Sequence, residues 1–222
     1  MPDSPTSLAN VPAITTKSQI GLTWTAPTFV GGAPLLDYRI WSDQGTGTTY
    51  SVIALNVATT SYTVTGLTQG TSYKFKVDAR NEKGYSASSA VVTILAAQIP
   101  DVPSAPTTSF NNANGQVTIS WTAPDNGGSV ITSYSITIAK FDNSSYIETA
   151  SCDGTLSTVV SSLSCTLASN VINGSPYLVD WGSSVYAKVS ARNLYGTSSY
   201  SVEGNGAVII TNPNPPTTLN AT

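Results

Sequence analysis

At 222 residues the chain can form one large domain or two of about a hundred residues each. Only 9 % of it is charged, against roughly 25 % in an average soluble domain. With 31 Ser and 31 Thr the surface must be polar without being ionic, and the net charge of −3 without a Lys/Arg cluster leaves no footprint for nucleic acid or an anionic membrane.

The head, MPDSPTSLAN, carries neither the charged nor the apolar region of a secretory signal. In QIGLTW, Ile20, Leu22 and Trp24 share one face while Gln19, Gly21 and Thr23 share the other, the alternation of a half-buried strand. The Thr-Ala-Pro that follows ends this strand because proline cannot donate to a ladder, and Gly31-Gly32 permit positive φ in the next loop. DYRIW turns Tyr38 and Ile40 inward and Trp41 outward. YKFKVDAR sets Tyr73, Phe75, Val77 and Ala79 against an outward row of Lys74, Lys76, Asp78 and Arg80, and ARNEKG closes it at Gly84. About one hundred residues later the series repeats as QVTISW, SYSITI and ARNLYG, with Trp121, Tyr134 and Gly196 in matching places. No segment carries a helical period, no apolar run approaches the roughly 18 residues that span a bilayer, and the pattern reads as β-sandwich.

The Pro-rich leader, the Trp-bearing strand, the Gly-Gly loop, the Tyr-x-Ile strand and GLTQGTSYKFKVDARNEKG resemble the fibronectin type III family, twice over nearly the whole chain. That resemblance implies an all-β fold of two tandem immunoglobulin-like sandwiches. The leaders PDSP, PDVP and PNPP, at Pro2, Pro100 and Pro213, set the expected boundaries at 1–99 and 100–212. Residues 213–222 then read as the first strand of a following repeat, with Leu219 needing a host sheet. Tyr73, six residues after Leu67, looks like the family's tyrosine corner. In the second copy Val185 takes that position and Tyr186 falls on the outer face, so the corner hydrogen bond is expected to be missing. Trp24 to Arg80 spans 56 residues and Trp121 to Arg192 spans 71, which puts about fifteen extra residues, both cysteines among them, between the SYSITI and AKVSARN strands. The combination resembles long type III arrays of single-celled eukaryotes, in which a plain domain alternates with a larger cysteine-bearing one.

Without histidine, Ser-His, Cys-His and His-metal chemistry are excluded, and the scattered carboxylates offer no matched pair for hydrolysis. No enzyme activity and no cofactor are expected. Cys152 and Cys165 flank one excursion and form either a disulfide, which is the expectation, or a buried free pair. The disulfide would contribute about 3 kcal/mol and implies an extracellular or cell-surface location. Sequons at Asn143, Asn173 and Asn220 are candidates for N-glycosylation, although roughly four would arise by chance in a chain this rich in Asn, Ser and Thr. Trp24 and Trp121 belong in the cores. Trp41 is either covered by Arg and Lys stems or an interface anchor, and Trp181 either plugs an edge of the second sandwich or makes a contact. The reading is a non-catalytic structural element of an extracellular array, such as a filament or surface coat, whose partners are neighbouring repeats or identical subunits. The alternatives are an adhesion or receptor ectodomain binding a protein or glycan, and a spacer in a secreted carbohydrate-active enzyme.

Overall fold

The computed structural model describes residues 1–210. Two compact units divide the chain, the first comprising Met1–Gln98 with Gly127–Ser129 and the second Ile99–Asn126 with Val130 onward. Leu219 and Asn220, and the whole of 213–222, lie outside the described residues.

In the first unit β1 (Thr6–Asn10), β2 (Gln19–Thr25) and β5 (Ser61–Thr65) form one antiparallel sheet in the order β1-β2-β5. The facing sheet runs β4 (Ser51–Val57), β3 (Asp37–Ser42), β6 (Ser72–Asn81), with β7 (Gly84–Tyr85) and β8 (Val92–Leu95) both paired to β6. The alternation read from the sequence decides what lies between them: Ile20, Leu22 and Trp24 from one sheet pack against Tyr38, Ile40, Phe75 and Val77 from the other. Each such side chain, fully buried, contributes on the order of 1.5–3 kcal/mol. The Trp24 ring meets Tyr38 edge-on at 5.3 Å, and Trp121 meets Tyr134 in the same way at 5.2 Å in the second unit.

Between β7 and β8 the last strand leaves the ladder, and serine hydroxyls replace its carbonyls. Ser86 and Ser89 still donate their N–H groups to Ala79 and Val77, both at 2.8 Å. The returning bonds, from the Ala79 and Val77 N–H groups, end on Ser86 Oγ at 2.9 Å and Ser89 Oγ at 3.1 Å. Each hydroxyl passes its own proton to the next carbonyl, that of Ala87 or Ala90. The second unit repeats this with Ser198 and Ser201 against Ala191 and Val189. Ser89→Ala is expected to leave the buried Val77 N–H without an acceptor and to cost about 1–3 kcal/mol on urea unfolding, whereas Ser88→Ala keeps this relay.

The second unit pairs β9 (Thr107–Asn111), β10 (Gln116–Ser120) and β13 (Ser164–Ala168) as one sheet. The other contains β12 (Tyr146–Glu148), β11 (Ser133–Ala139), β15 (Ala187–Asn193) and β16 (Gly196–Thr197), and β14 (Ser184–Val185) pairs with β17 (Ala207–Val208). Register equates the units: Leu22 faces Tyr62 across β2 and β5, and Ile119 faces Cys165 across β10 and β13. Cys165 thus stands where the first unit has Tyr62.

The extra residues fall in two places, 149–163 between β12 and β13 and 169–183 between β13 and β14. They contain a 3-10 turn (Ala150–Cys152) and two short α-helices, α1 (Ser157–Ser162) and α2 (Ser169–Asn173), where the sequence suggested none. Helices of six and five residues are too short to display a period or to stand alone, and tertiary packing holds them. Ile172, Tyr177 and Val179 from this region join the core.

The corner tyrosine behaves as its spacing implied. Tyr73 Oη accepts the Thr68 N–H at 2.9 Å. Val185 is buried at the matching place in the second unit, and Tyr186 lies half-buried with its ring over Gly206, where a Cβ would collide with it. A different tyrosine supplies the missing tie: Tyr177 Oη, from the insertion, donates to the Glu148 carbonyl at 2.9 Å and links the insertion to β12. Tyr73→Phe and Tyr177→Phe are each expected to cost about 1–2 kcal/mol, and Tyr186→Phe little, in matched denaturant melts.

Candidate functional site

The polar chemistry of the first unit collects on the outer face of β3 and β6. Arg39 and Asp78 are direct partners in register, and Arg39 Nε and Nη2 both reach Asp78 Oδ2, at 2.9 and 2.6 Å. The same oxygen accepts Trp41 Nε1 at 2.8 Å, while Asp78 Oδ1 accepts the Ser88 hydroxyl at 2.6 Å. Asp78 is therefore only 2 % exposed, although its place in the strand pattern faces away from the core. Around it cations and rings alternate. Arg39 lies 3.8 Å from the Tyr85 ring and 4.7 Å from that of Trp41, and Lys76 lies 5.2 Å from Trp41 and 4.7 Å from Tyr50. Arg80, in turn, forms a two-pronged ion pair with Asp37.

Trp41 is thus half-buried beneath cationic side chains. Contacts of this kind are worth about 0.5–1 kcal/mol each when exposed, and together with the hydrogen bonds to Asp78 they tie the outer face of β3 and β6 into one network.

One end of this face is set by Asp43, which is 1 % exposed. Its Oδ1 accepts the Gly45 and Lys74 N–H groups at 3.0 and 2.9 Å, and its Oδ2 accepts that of Gly47 at 3.0 Å. Gly45 and Gly47 stand at φ +79° and +87°, which side chains rarely adopt, so Ser-Asp-Gln-Gly-Thr-Gly folds tightly round the carboxylate. Lys74 Nζ donates to the Gly47 carbonyl at 2.8 Å, which fixes its direction.

In the second unit Cys152, just after β12, is bonded to Cys165 in β13, with Cα atoms 5.4 Å apart. The bond ties the segment that follows edge strand β12 of one sheet to edge strand β13 of the other. Beside it lies a cleft of about 400 Å³ lined in part by Ser135, Glu148, Asp153, Arg192 and Thr197. Gly154 pairs with the β11 edge by accepting the Tyr134 N–H at 3.0 Å, and a side chain there would strike the Tyr134 carbonyl. Ser135 Oγ bonds the Glu148 carboxylate and the Tyr200 hydroxyl. The Thr155 hydroxyl and N–H, at 2.7 and 2.9 Å, hold the Asp153 carboxyl below the usual carboxylate range. An acid so held is suited to facing a cation and unsuited to donating a proton. The cleft brings together Glu148 and Asp153, a pairing that sequence reading missed because the path of the insertion creates it.

The remaining candidates are dispersed. Asn143 is exposed in the turn after β11 with φ +55°. Asn173 is half-buried at the end of α2 and donates its amide to the Val179 carbonyl. Trp181 is 48 % exposed and rests edge-on against Phe110 at 6.3 Å. No group of three or more metal-ligating side chains occurs among the described residues, and no helix among them is long and apolar enough to cross a membrane.

A Kelch domain-containing protein of Saccharolobus solfataricus is 37 % identical over 105 residues, covering 47 % of this chain and 14 % of that protein. Chitinase A1 of Niallia circulans is 33 % identical over 129 residues, covering 54 % of this chain and 17 % of that protein. The chain therefore spans less than a fifth of either relative's length. The crystal structure of chicken CNTN1 FN1-FN3 domains superposes with a TM-score of 0.44 at 16 % identity, covering 94 % of this chain and 67 % of that one. The family model of the fibronectin type III domain matches residues 3–94, almost all of the first unit. That match makes the first unit a fibronectin type III domain, and the second unit, which repeats the same strand plan with a disulfide added, gives the chain a tandem fibronectin type III architecture.

Proposed function

We propose that the chain is a non-catalytic structural element of an extracellular repeat array, in which it packs against neighbouring repeats or identical subunits. The observation that carries this reading is the outer face of β3 and β6: a cation–aromatic surface hydrogen-bonded to the buried Asp78 suits contact with another protein surface. Residues 1–99 and 100–212 serve as the repeating modules.

A second reading, a spacer within a secreted carbohydrate-active enzyme, has the likeness to chitinase A1 in its favour. Electron microscopy of the native material tests the proposal. Repeating fibres or a coat are expected. Isolated rods that bind cells or glycans, or a chain joined to a catalytic domain, would overturn it. The extracellular assignment also makes Asn143, exposed in its turn, the expected glycan carrier ahead of Asn173, whose amide is already engaged. Glycopeptide mass spectrometry of secreted protein checks the order.

A further inference from the structure

The two units carry opposite charge balances. The first holds six of the nine Lys and Arg residues and five of the twelve Asp and Glu residues, and the second holds three and seven. On the outer face of the first unit the arginines are already taken, Arg39 by Asp78 and Arg80 by Asp37. Lys74 and Lys76 have no carboxylate partner among the described residues; their ammonium groups meet the Gly47 carbonyl and the Trp41 and Tyr50 rings instead. Two residues apart on β6, their Cα atoms stand about 7 Å from each other, with both side chains on one side of the strand.

The second unit offers the complement. Glu148 and Asp153 line one open cleft with the hydroxyl side chains of Ser135, Thr155 and Thr197, which can replace the water shell of an ammonium group. Arg192, at the same cleft, donates to Thr197 Oγ1 at 3.4 Å, and its one positive charge against the two carboxylates leaves the cleft a single negative charge in excess. An ammonium is small enough to enter where a second guanidinium would crowd Arg192.

We propose that Lys74 and Lys76 of one molecule dock on the Glu148–Asp153 cleft of a second copy of the chain. The proposal rests on the structural-element reading and names the contact through which copies join. Because the two surfaces differ, the contact is heterologous: each molecule added leaves one lysine face and one cleft unfilled, so growth continues unless the rotation closes a ring. The contact is also salt-sensitive, since charges at an exposed interface are screened beyond about 8 Å at physiological ionic strength.

Sedimentation velocity of the full chain over a range of concentrations, at low and physiological salt, tests it. Concentration-dependent association that weakens with salt is expected. Lys74→Glu with Lys76→Glu, and Glu148→Lys with Asp153→Lys, should each weaken self-association roughly tenfold or more, and an equimolar mixture of the two variants should associate better than either alone. The milder pair Lys74→Gln with Lys76→Gln, whose circular dichroism should match the parent, should weaken it in the same direction. Association that is unchanged by the reversals would overturn the lysine–cleft contact while leaving assembly standing through another face. A parent chain that stays monomeric at every salt concentration would overturn the contact as well, and fibres in native material would then still support the broader reading.

Discussion

Replacing Asp78 with alanine is expected to remove about 3–5 kcal/mol from the stability of the first unit. The carboxylate holds the Arg39 guanidinium, the Trp41 indole N–H and the Ser88 hydroxyl at once. Its loss leaves a half-buried cation and a ring N–H without an acceptor. Asp78→Asn preserves the shape and one acceptor oxygen and should cost less, because only the charge is lost. The measurement is urea unfolding followed by tryptophan fluorescence, with the second unit's transition unmoved. A loss below about 1 kcal/mol would mean that water replaces the carboxylate and that the face is softer than its contacts indicate.

Removing the disulfide should act on the other unit. Cys152→Ser with Cys165→Ser is expected to cost about 3 kcal/mol, the amount associated with closing a loop of this size. Both sulfurs sit in the core, so the serine hydroxyls add a burial penalty that chemical reduction of the parent does not. Limited proteolysis after reduction should cut first within residues 149–163, and the first unit's melt should stay in place. Intact-mass analysis of non-reduced protein showing two alkylated thiols would contradict the bond.

The strand faces were legible because a period of two leaves little freedom: once Ile20, Leu22 and Trp24 face inward, the rest of β2 follows. Tyr73 was legible for a related reason, since its distance from Leu67 fixes where its hydroxyl arrives. The same reasoning failed at Asp78. Alternation assigns a side chain to a face but does not say what covers that face, and here long neighbours on β3 cover it. Ser86 and Ser89 were hidden by abundance, as two hydroxyls among 31 serines carry no visible signal until the strand they serve is known. Tyr177 was missed because its partner, the Glu148 carbonyl, is a backbone group that no side-chain pattern reveals.

The hydroxyl substitution on the last strand bears on how such repeats can be crowded together. Sandwiches of one strand plan on one chain are held at high local concentration, and with few charges they repel one another weakly. Under those conditions an unbroken terminal strand would be a template for a neighbour's strand, inviting exchange between repeats or fusion of their sheets. Here the stretch between β7 and β8 has left the ladder, and the Ala87 and Ala90 carbonyls already receive serine protons. The second unit has the same arrangement at Ser198 and Ser201. An incoming strand would have to displace both hydroxyls before it could pair, so each repeat carries its own barrier to merging with the next.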